Sequence, residues 1–307
     1  MGGTIVMILK MEVFNKEDLP KYTKGYTHSG VFHADDVFAS ALLKMLYGNE
    51  FDIERISKIP EDVGEDVIVF DIGLGEFDHH QVNAPVRPNG VKYAAFGLLW
   101  RRFGKYLVLR DETIELFDRT FVQTIDAIDN GQVAPTIIDG VNAFTMSSLI
   151  SAFNPVSLVD GFPNIEFGHA VKMAYQILLV VLNNVIAKVE YKDIVDAIVE
   201  QTKNEILILD QAMPWQESVF SHPNGKTILY VVYPSTRGDW KVQCVPDKPG
   251  SFGTRKSLPK TWWGLNDKEL QEVCDVNDAI FTHKVGFIGG AATKEGAIKM
   301  AEKAIEY

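Results

Sequence analysis

Asp66-Val-Ile-Val-Phe-Asp71-Ile-Gly73 carries the strongest fold signal in the chain. The apolar run between its two aspartates has the length and the β-branched content of a buried strand. It ends on Asp71, with a glycine two residues later. In open α/β sheets, ligands gather at the carboxyl ends of parallel strands. The pattern therefore predicts a parallel sheet in an α/β fold and places the Asp71 side chain where binding usually occurs.

Segments with helical periodicity lie on both sides of this strand. Between Val37 and Leu46 the apolar residues recur every three or four positions, and Asp35-Asp36 stands before them in capping position. Further helices are predicted over residues 94–103, 114–128, 169–189, 194–209, 268–274 and 293–305. Strands are predicted over residues 227–232, 240–245 and 279–282. Helices and strands thus stand on each side of a helical middle, which predicts two α/β units.

The chain length predicts two domains as well, because 307 residues exceed the usual size of one. The natural boundary falls in the helical middle, between about residues 150 and 215. We therefore expect an N-terminal tail over residues 1–24, an α/β domain over 25–150, a helical connector over 151–210 and a smaller α/β domain over 211–307.

Composition excludes several classes of protein. The chain is 46% hydrophobic and 23% charged, which is typical of a globular protein in water. Its formal charge of −11 argues against a large basic surface for duplex DNA. A small phosphate ester remains compatible with this charge, because bound metal ions supply positive charge locally. Cys244 and Cys274 lie in apolar patterns, which predict reduced core thiols and neither a disulfide framework nor a zinc site.

No membrane-spanning helix is predicted. The longest apolar stretch, residues 173–189, is interrupted by Gln176, Asn183 and Asn184, and we interpret it as a buried helix. The apolar run over residues 4–9 is shorter than the core of a secretory signal, and no basic segment precedes it. The expected location of the protein is the cytoplasm.

Histidine residues concentrate in the first 80 positions. Four of the seven histidines lie there, in His28-Ser-Gly-Val-Phe-His33-Ala-Asp35-Asp36 and in Asp78-His79-His80. A lone His-x-Asp at a helix start is usually a cap, and adjacent histidines are commonly surface residues. Both clusters occur together with Asp71, Asp126 and Asp129, which favours a metal centre. Imidazole and carboxylate ligands suit Mn²⁺, Zn²⁺, Fe²⁺ or Co²⁺, and two such ions about 3.5–4 Å apart can hold a hydroxide for attack on a phosphoryl group.

In chain order, these residues resemble the motifs of the DHH phosphoesterase superfamily. His28 to Asp35, Asp71, and Asp78-His79-His80 resemble its first three motifs, and Val122 to Gly131 resembles its fourth. Within the superfamily, the sequence is similar to the melanocyte-proliferating-gene (Myg) family over nearly the whole chain after about residue 25. The supporting segments are residues 27–35, 77–81, 125–131, 214–215, 240–246 and 287–290.

The resemblance implies a DHH-type parallel-sheet domain that carries the metals, a helical connector, and a smaller α/β DHH-associated domain that binds the substrate. The implied cofactor is a pair of divalent ions, manganese first, with zinc, cobalt or iron as alternatives. His33 stands where the superfamily typically has an aspartate. A neutral ligand there makes the centre one charge more positive, which bears on the manganese preference.

The ligand set implied by the resemblance is bipartite, with Asp71 shared by both ions. The ligands of one ion would be His28, His33 and Asp71. The ligands of the other would be Asp35, Asp71, His79 and either Asp126 or Asp129. His80 would face the substrate phosphate, and Asp78 would orient a ligating imidazole through its other nitrogen.

Five residues of the C-terminal part are expected to contact the substrate on the strength of the resemblance. Glycines just before a helix let backbone N–H groups approach an anion, and arginine offers a planar fork for a phosphate. Taken alone, a Gly-Gly pair is usually a turn and an Arg-Lys pair before proline is usually solvated. The five residues are Arg255, Lys256, His283, Gly289 and Gly290.

These features together predict an enzyme that hydrolyses a phosphodiester in single-stranded RNA, a short oligonucleotide or a nucleotide. The resemblance implies 3′–5′ exonuclease activity. A pyrophosphatase-like phosphoanhydride hydrolase is the second interpretation, and a non-catalytic metal-binding regulatory protein is the third. A metallopeptidase is disfavoured, because the sequence has no His-Glu-x-x-His pair. Neither duplex DNA nor a membrane is expected as a partner, and oligomer formation is left open.

Overall fold

The computed structural model describes residues 17–133, 137–138, 140–156 and 163–307. The chain divides into two compact units, Met1–Ile186 (unit 1) and Ala187–Tyr307 (unit 2), and the division falls inside one long helix. The first 16 residues of the predicted N-terminal tail lie outside the described residues. The predicted mixed α/β class with a parallel sheet is confirmed.

The described part of unit 1 contains a parallel sheet with the strand order β2-β1-β3. Its strands are β1 (Lys24–His28), β2 (Asp52–Ile56) and β3 (Val67–Val69). Strand β3 is the core of the apolar run that the sequence analysis assigned to a buried strand. Parallel strands end at the same edge of a sheet, so the chain leaves β1 at His28 close to where it leaves β3 at Asp71.

Helices cover this sheet and form most of the unit 1 core. The described helices are α1 (Ala34–Tyr47), α2 (Ala95–Phe103), α3 (Asp111–Phe117), α4 (Gln123–Asp129), α5 (Met146–Ser151) and the first part of α6 (Pro163–Gln201). A π turn over Asp118–Val122 joins α3 to α4, so the helix predicted over residues 114–128 is one run with a widened turn. A short pair, β4 (Ile137–Ile138) and β5 (Val141–Asn142), precedes α5.

Helix α1 is the central element of the unit 1 core. Its apolar residues Val37, Phe38 and Leu42 are fully buried, and α2 packs against it. Each such side chain contributes roughly 1.5–3 kcal/mol relative to an exposed one. The helix begins with a capping box, in which the Asp36 carboxylate accepts a hydrogen bond from the His33 backbone N–H at 2.9 Å. The first turn of α1 is therefore held firmly beside the end of β1.

Helix α6 is longer than the two helices predicted for this region. It continues from the predicted helix at 169–189 to Gln201, and the predicted helix over 194–209 is wrong beyond that point. Ile206–Ile208 instead forms strand β6, because this β-branched segment pairs in parallel with a neighbouring buried strand. Side chains of α6 enter the cores of both units, with Ala174 and Leu178 in unit 1 and Val195 in unit 2.

The segment Asn164–Gln201 of α6 is long and apolar enough to cross a membrane by length and composition alone. Its most apolar window of 18 residues has a mean hydropathy of 1.6, and 39% of that window is buried. The sequence analysis expected polar residues to make this stretch too short to span a membrane. That expectation is corrected, because the helix is long enough. Core helices pass the same test, and the burial of Ala174 and Leu178 agrees with the predicted buried helix.

The described part of unit 2 contains a mixed sheet with the order β6-β7-β8-β10-β9. After β6 its strands are β7 (Tyr230–Pro234), β8 (Trp240–Cys244), β9 (Ala279–Thr282) and β10 (Ile288–Ala291). The β6–β7 pair is parallel and the other pairs are antiparallel. Its helices are α7 (Gln216–Ser221), α8 (Asp267–Cys274) and α9 (Lys294–Glu306), and α9 packs against β7 and β8.

Candidate metal centre

Except for Asp126, the predicted metal ligands meet at the carboxyl edge of the unit 1 sheet. His28 is the last residue of β1, and the first turn of α1 carries Asp35 and Asp36 at the same edge. Asp71 follows β3, and Asp129 is the last residue of α4. Loops and helix ends thus deliver side chains that are far apart in sequence to one place, as expected for an open α/β sheet.

Asp71 has an unusual backbone conformation. Its φ is +55°, in the left-handed region that side chains other than glycine rarely adopt. Its backbone N–H donates to the Phe77 carbonyl at 3.0 Å, which holds the turned chain in place. Strain of this kind clusters at functional sites, because the surrounding structure must maintain it. The turn buries the Asp71 carboxylate while keeping it directed at two histidines.

The first cluster contains His28, Asp36 and Asp71. The His28 Nε2 atom lies 3.2 Å from Asp36 Oδ2 and 3.3 Å from Asp71 Oδ2. The other ring nitrogen, Nδ1, is 3.1 Å from the Ser29 carbonyl oxygen and can donate to it. The neighbouring carboxylate of Asp36, and then that of Asp71, raises the pKa of His28 to about 10. The cluster therefore favours a positive charge at this position.

The second cluster is arranged around His79. Its Nε2 atom lies 3.2 Å from Asp71 Oδ1, 3.3 Å from Asp129 Oδ2 and 3.6 Å from Asp35 Oδ2. Burial of the ring opposes the charged form, yet the contacts with Asp71 and Asp129 outweigh it and raise the pKa of His79. Asp71 faces His28 with one oxygen and His79 with the other. A carboxylate in this position could be shared by two cations.

Several buried carboxylate oxygens at the centre have no well-directed hydrogen bond, although two of them lie 3.2 Å from a histidine Nε2 atom. They are Asp35 Oδ1, Asp36 Oδ2 and Asp71 Oδ1. Burial, followed by the charges of Asp71 and Asp129, raises the pKa of Asp35 well above its ordinary value. Buried charges normally have partners, because leaving them uncompensated costs several kcal/mol. Nitrogen and oxygen donors with excess negative charge fit divalent transition metals.

Asp126 and Asp129 lie in different surroundings, although both are on α4. Asp126 is 2.8 Å from Arg87 Nη2 and accepts a hydrogen bond from the Gly97 backbone N–H at 3.1 Å. Arg87 also forms a bidentate pair with Asp118, at 2.6 and 2.9 Å. The structure thus brings Asp129 to the histidines and places Asp126 in a buried ion-pair network beside them. Of the two alternatives for the fourth motif, the geometry favours Asp129.

His33 and Asp36 differ from their expected roles. His33 is 59% exposed, and it groups with Asp35 and Asp129 instead of with His28 and Asp71. Its Nδ1 atom is 4.0 Å from Asp129 Oδ1. Asp36 was predicted only as a helix cap, and one of its oxygens does cap α1 while the other faces His28. Because Asp36 was interpreted as a helix cap, a role for its second oxygen was not predicted. The sequence feature that could have indicated this role is the pair of adjacent aspartates after a histidine.

Asp78 contacts His80 instead of His79, the imidazole assigned to metal, and His80 groups with Asp71 and His79 as a further set of candidate ligands. Asp78 Oδ1 is 2.7 Å from His80 Nδ1, and Asp78 Oδ2 accepts a hydrogen bond from the Leu74 backbone N–H at 2.6 Å. The His79 Nδ1 atom instead lies 3.4 Å from Asn130 Oδ1, a residue that the sequence analysis did not assign. His80 is 60% exposed and lines a cavity of about 450 Å³ with His28, His33 and Asp71. The cavity has room for a phosphate group beside the histidines.

Arg255 and Lys256 are engaged within unit 2. Arg255 Nη1 donates to the carbonyl oxygens of Gly225 and Ile228 at 2.5 and 2.8 Å. Lys256 Nζ donates to the Ile305 carbonyl oxygen at 2.6 Å, near the end of α9. Both cations therefore satisfy carbonyl groups at the ends of turns and helices, a role that residue type and spacing do not reveal.

The glycine pair does not form a helix N-terminus. Gly289 and Gly290 lie inside β10, which pairs with β8 on one side and β9 on the other. At the start of α9, Thr293 caps the Gly296 N–H, and Asp278 accepts hydrogen bonds from Thr293. The expected anion site before the last helix is therefore corrected, because a carboxylate of the chain already holds that helix end. His283 is half-buried at the β9–β10 turn, and its ring packs against Phe287.

Residues 25–305 match the model of a family described as "Uncharacterised protein family (UPF0160)", with the short name MYG1_exonuc. The chain belongs to the Myg family. It is 31% identical to "MYG1 exonuclease" of Homo sapiens, over 90% of this chain and 84% of the relative. It is 33% identical to "MYG1 exonuclease" of Mus musculus, over 90% and 83% of the two chains. The predicted resemblance is confirmed, and with it the prediction of a hydrolytic enzyme.

More distant organisms have similar proteins. The chain is 29% identical to "MYG1 protein" of Dictyostelium discoideum, over 91% of this chain and 95% of the relative. Among solved structures, it is similar to RecJ of Thermus thermophilus in complex with Mg²⁺. That similarity has a TM-score of 0.27 and 14% identity, and it covers 95% of this chain and 51% of RecJ.

Proposed function

We propose that this Myg-family protein is a two-metal phosphodiester hydrolase that shortens single-stranded RNA or short oligonucleotides from the 3′ end. One observation carries the proposal: the buried Asp71 carboxylate faces His28 with one oxygen and His79 with the other. The relatives named as exonucleases support the substrate class. The RNA preference and the 3′–5′ direction rest on the family resemblance.

In this proposal the ligands divide into two sets that share Asp71. The first set is His28, Asp36 and Asp71. The second set is Asp35, Asp71, His79 and Asp129, with His33 at its exposed side. When bound, a pair of divalent ions, manganese in our proposal, supplies an activated water nucleophile and positive charge opposite the phosphoryl oxygens.

The residues around the ligands position the substrate and its protons. His80 donates from Nδ1 to Asp78, which leaves the neutral ring with an acceptor nitrogen, Nε2. Because His80 is largely exposed on the cavity, we assign it to the substrate phosphate or to the leaving oxygen. Val31 and Leu74, both more than half exposed, line the same cavity and provide an apolar surface for a base or ribose.

Of the unit 2 residues, His283 keeps its proposed contact with the substrate. Arg255 and Lys256 are assigned instead to stabilising the carbonyl groups that they contact. The protein has a formal charge of −11, so metal ions rather than a basic surface would neutralise the phosphates of the substrate.

The proposal is tested with RNA labelled at one end or the other. Purified protein with Mn²⁺ is expected to shorten 5′-labelled single-stranded RNA stepwise and to release the terminal nucleotide at once from 3′-labelled RNA. Asp71→Asn should reduce the rate at least about 100-fold, because a shared carboxylate ligand is lost. Asp210→Asn, on an exposed surface of unit 2, is the matched control and should retain full activity.

Three outcomes would contradict this proposal. Shortening from the 5′ end would reverse the direction, and equal cleavage of duplex DNA would remove the single-strand preference. Release of orthophosphate from pyrophosphate with RNA left intact would establish the phosphoanhydride hydrolase instead.

A further inference from the structure

We propose that Asn130 is a positioning residue that keeps a proton on His79 Nδ1 and so directs His79 Nε2 to the metal; this inference rests on the proposed function. Asn130 Oδ1 lies 3.4 Å from His79 Nδ1. A ligating histidine usually donates its other N–H to a carboxylate, a carbonyl or water. Asp78 was expected to fill this role, but it contacts His80 and the Leu74 backbone.

The orientation of the Asn130 amide follows from its other contacts. Its Nδ2 atom donates to the Tyr93 carbonyl oxygen at 3.1 Å and to the Asp126 carbonyl oxygen at 2.9 Å. Carbonyl oxygens only accept, so the NH₂ group must face them. A flipped amide would place its oxygen against two other oxygens and lose both hydrogen bonds. Asn130 Oδ1 therefore faces His79 and can only accept from it.

This contact decides which nitrogen of His79 is available to a cation. An acceptor at Nδ1 requires a proton there, and the neutral ring then carries its lone pair on Nε2. Nε2 is the nitrogen that lies 3.2 Å from Asp71 Oδ1 and 3.3 Å from Asp129 Oδ2. The same division holds at His28, where Nδ1 faces the Ser29 carbonyl and Nε2 faces carboxylates. Both histidines thus present Nε2 to the centre.

The end of α4 supplies both a proposed ligand and its positioning neighbour. Asp129 is the last residue of the helix, and Asn130 is its C-cap. Gly131 follows with a φ of +65°, and the Gln132 N–H bonds to the Ala127 carbonyl at 2.8 Å, which closes the helix end. Because the Asp126 carbonyl accepts from Asn130, this turn also fixes the amide. One helix terminus therefore sets the position of Asp129 and the orientation of His79.

The tautomer can be observed directly in the full-length protein loaded with Zn²⁺, which is diamagnetic. Long-range ¹H–¹⁵N NMR spectra of histidine-labelled protein are expected to show His79 protonated at Nδ1 and bound to zinc through Nε2. Asn130→Leu fills a similar volume but cannot accept a hydrogen bond. Its zinc affinity, measured by competition with a chelator, should fall about 10- to 100-fold, and the His79 Nδ1 proton should exchange faster.

Two further variants separate this role from general stabilisation. Asn130→Asp retains an oxygen acceptor for His79 Nδ1 but sets its other oxygen against the Tyr93 and Asp126 carbonyl oxygens, so it should lower the melting temperature while keeping the Nδ1 proton of His79. Asn89→Leu removes an exposed asparagine of the same unit, which bonds Gln123 and the Val91 backbone, and should leave zinc affinity unchanged.

Zinc bound to His79 through Nδ1 in the unmutated protein would overturn the inference, whether or not the variants fold. An unchanged zinc affinity and Nδ1 proton in Asn130→Leu would also overturn it. Failure of the unmutated protein to bind zinc would reject the proposed metal centre and this inference with it. Tight zinc binding without RNA cleavage would reject only the proposed substrate.

Discussion

Single residues at the centre place carboxyl groups where water hardly reaches them. Asp35, Asp36 and Asp71 are buried, and each has an oxygen without a well-directed hydrogen bond. Such carboxylates lower stability unless a cation compensates them. These carboxyl groups and the histidines beside them therefore form a cluster better suited to binding ions than to holding the fold together, whereas the neighbouring Asp126 belongs to an ion-pair network with Arg87.

A substitution at Gly97 tests how tightly the Asp126 network is packed. A methyl group at this position would overlap Asp126 Oδ2 and lie 2.6 Å from Arg87 Nη2. Gly97→Ala is expected to lower the free energy of unfolding by about 1–3 kcal/mol, measured by urea denaturation. Gly168→Ala is the matched control, because its helical methyl group would meet no atom within 4 Å, and it should be neutral or slightly stabilising. Equal effects of the two substitutions would contradict this packing argument.

The Asp126 carboxyl group is also expected to make the stability of the fold depend on pH. Burial raises its pKa to about 7, even though Arg87 acts in the opposite direction. The folded state then binds a proton that the unfolded state has released, so stability falls as pH rises from about 4 to 7. Urea denaturation of metal-free protein should show this decline, at most about 1.4 kcal/mol per pH unit, and Asp126→Asn should lack this contribution. Parallel pH profiles for the two proteins would refute the raised pKa.

At the scale of secondary-structure elements, the ends of strands and helices build the site. The carboxyl ends of β1 and β3, the first turn of α1 and the last turn of α4 each contribute proposed ligands. The backbone N–H groups at the start of α2 face Asp35 and Asp126, with Ala95 N 3.4 Å from Asp35 Oδ2. Helix N-termini favour negative charge, so α2 helps to retain carboxylates at this edge.

The end of α4 can be perturbed without touching a proposed ligand. Gly131 has a φ of +65°, and residues with a side chain pay roughly 1–2 kcal/mol in that region. Gly131→Ala should therefore lower the melting temperature measured by circular dichroism. Gly75→Ala, at an exposed glycine without positive φ, should leave the melting temperature nearly unchanged. If Gly131→Ala melts like the unmutated protein, the left-handed helix end does not contribute to stability.

At the scale of the whole molecule, the proposed ligands all lie in unit 1, so the two units are expected to respond differently to metal. Binding to the folded state alone raises stability by about 2.7 kcal/mol at a free ion concentration of 100 times the dissociation constant. Scanning calorimetry should show that Zn²⁺ raises the transition of unit 1 and leaves that of unit 2 in place, and that a chelator reverses the change. Asp71→Asn should abolish the response, and an equal shift of both transitions would argue against a centre confined to unit 1.

Much of the fold could be predicted from local pattern. The strand ending on Asp71 and the helix after Asp35-Asp36 were recognisable because apolar periodicity reports which face of an element is buried. The segment over 206–208 was missed, because a short apolar run is compatible with a helix or a strand until a neighbouring strand pairs with it. The continuity of α6 was missed as well, because the polar residues Glu190, Lys192 and Asp193 interrupt the apolar pattern between the two predicted helices without interrupting the helix.

The sequence by itself determined the chemistry of the site: which histidines and aspartates are present, in which order, and that their order matches the Myg family. Only the tertiary structure decided which partner each of these side chains has. Asp126 and Asp129 are equivalent in a helical pattern, yet packing pairs one with Arg87 and brings the other to His79. The reason is physical, because residue type sets what a group can bind, whereas its partner depends on distances between segments that are remote in sequence. Arg255 and Asn130 show the same division, since each owes its role to backbone carbonyls that no local pattern reveals.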